Sequence, residues 1–258
     1  MNLITYLSME LKKIRRSHIL WILLIPIVIL WIPSVVNSGM NFEMQAEGIS
    51  PENNFFIQGF LGLAWFMYPA TLVIGTVLLN QTERRDGGIR KMLALPVNLS
   101  VLCLAKFLVL LLLAAIQLGF MDLLYFPAAV IAGAMNDYDL MISPLLVLRE
   151  TGLIYLSAIP MTAFFWMVAV WIRTAVFSMG IGLASIVPSV LVMNSKIWFC
   201  YPMCYPFYMV TALQGEMAAN FDTFQMDLIP WIPTAIAITL VCLALACLGF
   251  GRAERKGE

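Results

Sequence analysis

Residues 104–133 read LAKFLVLLLLAAIQLGFMDLLYFPAAVIAG. Lys106 and Asp122 are the only formal charges in this run. About 20 consecutive apolar residues, wound as a helix, cross roughly 30 Å of hydrocarbon. Five further runs read the same way: 19–36, 59–79, 145–171, 174–193 and 229–250. The 258-residue chain is 62% hydrophobic and 12% charged, with a mean hydropathy of +0.90. A soluble domain of this size cannot hide that much apolar surface. The expected fold is therefore all-α and integral to the membrane, a single transmembrane domain over residues 1–258 with six transmembrane helices. A net charge of zero gives no bulk attraction to nucleic acid. The first apolar run is too long for a signal peptide and lacks a small-residue cleavage site, so it is expected to stay.

Residues 1–17 read as an amphipathic helix. Leu3, Leu7, Leu11 and Ile14 share a face, while Glu10, Lys12, Lys13, Arg15 and Arg16 occupy the rest. Such a helix lies in the membrane interface; the plainer alternative is a solvated flank. In the first run Trp21 and Trp31 stand near the ends as interfacial anchors, and Pro26 and Pro33 favour a kink. Residues 37–58 are polar, with Glu43, Glu47 and Glu52 their only charges. Gly59 and Gly62 offer room for close helix contact. Lys106 can snorkel from the start of the third span. Residues 194–228 carry Trp198, Phe199, Tyr201, Tyr205, Phe207 and Tyr208, and are broken by Pro202 and Pro206. They read as an outer aromatic segment of short helices or a re-entrant hairpin before the sixth span.

Lys and Arg set the orientation. With both ends inside, 13 of the 15 basic residues are cytoplasmic and only Arg149 and Lys196 lie outside. The positive-inside rule then places both termini in the cytoplasm of a multi-pass plasma-membrane protein.

The longest charged, glycine-broken interruption on that side is 81–103, followed by Lys106. Glu83, Arg84, Arg85 and Asp86 precede Gly87 and Gly88; then Ile89, Met92 and Leu93 fall at helical spacing, with Arg90 and Lys91 opposite, and Pro96 ends the run. A short helix with an apolar stripe suits docking into a partner's groove. The alternative is a loop lying on the membrane surface.

Most catalytic chemistry lacks its residues. There is no phosphate-binding Gly-x-x-x-x-Gly-Lys-Ser/Thr loop, so no usual ATP cradle. The one histidine, His18, reads as an interfacial flank residue. Cys103, Cys200, Cys204, Cys242 and Cys247 make no metal-finger spacing. Cys200 and Cys204 are either bridged or free thiols. Asp122, with Gln117 a turn and a half earlier, is a functional candidate because an ionisable group within a span is costly. Its plainer readings are a wetted residue near the outer end of a long span or a partner for Arg149.

The stretch from Glu83 to Lys106 resembles the coupling loop of ABC type-2 permeases. The resemblance rests on Glu83, Arg84, Gly88, Lys91, the end Leu93-Ala94-Leu95-Pro96, and Lys106. Residues Glu10 to Ser17, running into a Trp-bearing first span, are similar to the family's interfacial helix. Asp86 to Ile89 departs from the family's Gly-Thr-Leu-like run. The small size is closest to the permeases of lantibiotic-immunity exporters. The resemblance implies that Glu83, Arg84, Arg85, Gly88, Ile89, Lys91, Met92, Leu93 and Pro96 couple to a separate ABC ATPase subunit. That subunit would hold ATP and Mg; this chain would bind no cofactor and no metal and would not be an enzyme itself. A second permease copy or paralogue would complete the pore, and the cargo would be an antimicrobial peptide. Asp122, Trp198, Tyr201, Tyr205 and Tyr208 are the candidates for cargo contact or an outer gate. Rival readings are an exporter of another lipophilic cargo (lipid, drug or polysaccharide) and a membrane scaffold or sensor without transport.

The charge asymmetry predicts that a reporter fused after Glu258 is active only in the cytoplasm; phosphatase and fluorescent-protein fusions check this.

Overall fold

The computed structural model describes residues 3–15, 19–84, 98–172, 174–217 and 228–255. Among them every regular element is helical. In chain order these are α1 (Leu3–Arg15), α2 (Ile19–Val36), a 3-10 segment (Ser38–Glu47) and α3 (Pro51–Gly62). A π turn (Leu63–Met67) leads into α4 (Tyr68–Arg84), and α5 (Leu99–Asn136) and α6 (Pro144–Trp171) follow. Then come α7 (Ala175–Ile186), α8 (Ser189–Met193), two 3-10 turns (Trp198–Cys200 and Pro202–Cys204), α9 (Tyr205–Met217) and α10 (Leu228–Arg255). Six described stretches are long and apolar enough to cross a membrane: Ile19–Val36, Pro51–Gln81, Leu99–Asn136, Pro144–Trp171, Ala175–Met193 and Leu228–Phe250. The chain is an all-α, multi-pass membrane protein.

Helices α5 and α6 form the spine. Helix α5 packs against α1, α2, α6 and α10, and α6 packs against α4, α9 and α10. Asn98 caps α5: its Oδ1 accepts from the Ser100 and Val101 amides at 3.1 and 3.4 Å. At the other end Asp137 turns left-handed (φ 51°) and the chain folds back over Gly133. A Cβ there would lie 2.6 Å from the Tyr138 carbonyl, so only glycine fits. Helix α6 starts with Pro144 in its first turn and is capped by the Ser143 hydroxyl, which accepts from the Leu146 amide at 3.3 Å.

Two apolar clusters are stacked along the spine. One lies toward α1 and the end of α10, around Tyr6, Leu23, Cys103, Leu110, Trp166 and Phe250. The other lies toward the opposite face, around Trp31, Phe56, Tyr68, Tyr125, Phe165 and Met209. Outward faces carry exposed Ile25, Ile29 and Ile32 on α2, Val176 and Phe177 on α7, and Ile236 and Leu240 on α10. In water this would be an aggregating surface; in lipid it is solvated.

Two sequence expectations change. The second span starts at Pro51, not residue 59. Glu52, Asn53, Asn54 and Gln58 break the hydropathy run, yet Phe55, Phe56, Ile57 and Phe60 bury against the core and hold the helix together. Trp31 is not an interfacial anchor: it is buried, with its ring centroid 5.7 Å from Phe55 and 5.9 Å from Tyr125. Trp21 is the exposed one. The aromatic segment does form short helices before the sixth span, and its residues Met203 to Val210 are buried because α9 packs between α3 and α6.

Gly59 sits where the Trp31 ring presses on α3, and an added Cβ would stand 2.6 Å from that ring. Gly59→Leu is expected to destabilise the protein by about 1–3 kcal/mol, as overpacking does; thermal melting in detergent measures it.

Candidate functional site

The site is built where α1 meets the base of α5. Tyr6, Glu10 and Ile14 recur every four residues and share the buried face of α1. Two turns into α5, Lys106 points at the same place. Its side chain is 0% exposed and that of Glu10 is 1% exposed. Lys106 Nζ donates to Glu10 Oε2 at 2.8 Å, and Lys13 Nζ donates to Glu10 Oε1 at 2.6 Å. One carboxylate thus bridges two ammoniums, one buried and one half-exposed. Burial pushes the Glu10 carboxyl up, but the charge and hydrogen bond of Lys106, joined by those of Lys13, outweigh it. The group stays below its ordinary 4.5. The expectation that Glu10 belongs to the polar face of α1 is therefore corrected, as is the expectation that Lys106 snorkels. A buried ammonium in hydrocarbon needs a counter-charge, and Glu10 supplies it. Leu3, expected on the buried stripe, is exposed; Leu7 and Leu11 pack at its margin.

The ion pair sits beside the first apolar cluster. There Trp166 of α6 donates from its indole to Cys103 Sγ at 3.3 Å, next to the α5 base. On the adjacent helix, Asn80 Nδ2 of α4 donates to the Ala169 carbonyl of α6. The chain leaves this platform at the end of α4 and rejoins it at Asn98. Glu83 and Arg84 belong to the last turn of α4. Arg85, Gly88, Ile89, Lys91, Met92, Leu93 and Pro96 lie outside the described residues.

Higher along the spine, Asp122 and Gln117 diverge. The Thr151 hydroxyl of α6 lies 2.7 Å from Asp122 Oδ1. Gln117 faces α4 instead and donates through Nε2 to Thr71 Oγ1 at 2.8 Å. Five residues along a helix turn the side chains about 140° apart. The Arg149 guanidinium lies 3.6 Å from Glu150.

The aromatics of residues 198–208 do converge. Trp198 stacks on Tyr208 at 3.9 Å and meets Tyr205 edge-on at 6.2 Å. Trp231, at the start of α10, joins them at 6.2 Å from Trp198 and 5.7 Å from Tyr205. The Tyr201 hydroxyl donates to the Ser185 carbonyl, and that of Tyr205 to the Phe199 carbonyl. These contacts lock the segment to α7 and α10. Cys200 and Cys204 are both free thiols, and Cys204 is buried.

Sequence reasoning missed Glu10, Thr151, Thr71 and Trp231. The four-residue spacing of Tyr6, Glu10 and Ile14 was a usable signal for Glu10, given a lone lysine in an apolar run. The other three become partners only through helix packing.

Six helices long and apolar enough to cross a membrane define the class: a polytopic membrane protein. The family described as ABC-2 family transporter protein matches residues 6–189, and the chain belongs to that family. It is the membrane-spanning component of a transporter, and members generally work with an ATPase partner. No curated protein and no solved structure matches the chain.

Removing one partner of a buried pair leaves an uncompensated charge, at about 3–5 kcal/mol. Glu10→Gln or Lys106→Met is expected to lose that much, and the Glu10→Leu/Lys106→Met double variant to regain most of it; melting of purified protein checks the cycle. The depressed Glu10 value fixes the pH dependence. The pair's contribution is present above the unfolded value near 4.5 and is lost as pH falls through the folded value below it. Amide exchange in α1 is expected to be protected at neutral pH and to lose protection only under more acid conditions.

Proposed function

We propose that the chain is a permease subunit of an ATP-driven exporter that expels an amphipathic antimicrobial peptide and so protects the cell. Both termini lie in the cytoplasm. A separate ABC ATPase binds ATP and Mg, dimerises, and grips the segment from Glu83 to Pro96. A second permease, a copy or a paralogue, completes the translocation path.

The observation that carries this reading is the buried Glu10–Lys106 pair two turns beyond the loop. A pull on residues 83–96 reaches the α5 base first. Because α1 is tied there by a buried ion pair, α1 and α5 are displaced together. The rest of the spine follows through α6, whose Trp166 is bonded to Cys103. A chain without an ATP cradle uses ATP only through such a mechanical contact, biasing a bundle with two arrangements.

Cargo recognition has support on the other half of the molecule. An apolar groove of about 550 Å³ runs between α6 and α10, with Leu153, Leu156, Pro160, Ile236 and Leu240 along it and Trp231 at its head. Its size and lining suit a lipophilic molecule drawn from the bilayer. The groove fits a lipid or drug cargo as well as the apolar face of a peptide. Asp122 and the aromatic set Trp198, Tyr201, Tyr205 and Tyr208 remain candidates for the path or its gate.

Affinity purification of the tagged chain in mild detergent is expected to bring an ATPase subunit and a second permease with it. Leu93→Asp, which puts a charge on the apolar stripe, is expected to lose the ATPase and cut export at least tenfold while membrane insertion is unchanged. Normal ATP-driven export by that variant, or a chain that purifies without any ATPase, contradicts the proposal.

A further inference from the structure

Two thiols meet where the end of α10 crosses the base of α5. Cys103 stands in the second turn of α5 and is 0% exposed. Cys247 stands near the end of α10 and is half-buried. Its Sγ donates to the Ser100 carbonyl at 3.9 Å. In a helix that carbonyl points along the axis toward residue 104, so the sulfur rests on the turn that carries Cys103. The Cys103 thiol lies within hydrogen-bonding reach of the Cys247 side chain. Neither is in a disulfide.

Two tryptophans of α6 hold this meeting point. Gly249, two residues after Cys247, seats α10 against α6: a Cβ there would stand 2.7 Å from Trp171 Nε1. The Trp171 indole donates to the Leu245 carbonyl at 3.1 Å. Trp166 closes the other side. Its indole donates to Cys103 Sγ at 3.3 Å, and its ring lies 6.3 Å from that of Phe250. The remaining cysteines are placed differently. Cys242, five residues before Cys247, points about 140° away around α10, and Cys200 and Cys204 belong to the aromatic segment of residues 198–208.

We propose that Cys247 and Cys103 form a peroxide-reactive dithiol that closes to a disulfide between α10 and α5. Cys247 has exposed surface and Cys103 has none, so an oxidant meets Cys247 first. The Cys247 thiolate attacks hydrogen peroxide: an S–O bond forms, the O–O bond breaks and hydroxide leaves. The product is a sulfenic acid, which condenses with a neighbouring thiol. The Cys103 thiolate attacks that sulfur, forming the S–S bond and expelling a second hydroxide. Both hydroxides take up the protons lost by the thiols. Two thiols and one peroxide thus give one disulfide and two waters, with the electron pair passing to peroxide. The bond ties α10 to the α5 base, where Glu10 already ties α1.

The reaction needs neither ATP nor a partner chain, so its test is independent of the export reading. The purified full chain in lipid nanodiscs is treated with a stoichiometric amount of hydrogen peroxide, and its peptides are mapped by mass spectrometry without reductant. A peptide linked through Cys103 and Cys247, and released by dithiothreitol, is expected to account for most of the thiol lost. Isotope-coded maleimide labelling is expected to show these two thiols consumed at least tenfold faster than Cys204 and Cys242. Cys247→Ser, a small change at a half-buried position, is expected to slow the loss of Cys103 at least tenfold, and an unchanged melting curve verifies that it folds. Cys103→Ser is expected to leave a sulfenic acid on Cys247 that dimedone traps. Wild-type oxidation that stops at a sulfinic acid on Cys247, linkage through Cys242 or Cys200 instead, or loss of Cys103 unaffected by Cys247→Ser overturns the proposal.

Discussion

A positive charge buried at the base of the longest helix is the constraint on which the rest depends. Lys106 has no exposed surface, and an unpaired ammonium in that position would cost several kcal/mol. Glu10 answers it across 96 residues of sequence. The pairing dictates that α1 lies against α5 with its Tyr6–Glu10–Ile14 face inward. It also brings Lys13 to the edge of the same carboxylate, so one acid faces two ammoniums. A hydrophobic pair in this place would hold α1 as firmly. The ion pair adds direction, since only one register of α1 on α5 places the carboxylate between the two ammoniums.

From that base the structure builds upward through α5 and α6. The two apolar clusters stacked along them use different devices. Near α1 the packing is mostly aliphatic, with Trp166 fixed to Cys103. Toward the far face it is aromatic, with Trp31, Phe55, Phe56, Phe60 and Tyr125 in mutual contact. Rings of this kind resist small displacements, because sliding one past another opens gaps in a close-packed interior. Under the proposed coupling, force applied at the α5 base would therefore be carried along the spine as a rigid shift. The π turn at Leu63–Met67 interrupts the second span between its aromatic half and α4, and such turns often mark functional positions in helices.

Much of this was legible in the chain. Six apolar runs announce six crossing helices, because hydrocarbon leaves no other way to satisfy the backbone. The loop at 81–103 stands out because charge and glycine interrupt an apolar sequence. What could not be read was pairing. Glu10 looks like one more charge on an amphipathic helix until Lys106 is placed opposite it. Gln117 and Asp122 look like neighbours, yet the helical turn sends one to Thr71 and the other to Thr151. Trp31 resembles an interfacial anchor, but Gly59 leaves space for its ring in the core. Residues 51–58 were hidden as polar loop because hydropathy averages over Asn and Glu that sit beside buried phenylalanines.

The central claim is that the Glu10–Lys106 pair, not lipid contact, holds α1 on α5. It is tested most directly by the distance distribution between nitroxide labels at Ser8 and Leu112, both exposed. Measured in lipid nanodiscs, wild type is expected to give one narrow distribution. Glu10→Gln is expected to broaden it and shift it to longer distances. A narrow distribution unchanged by that substitution would contradict the account and make α1 an ordinary interfacial helix.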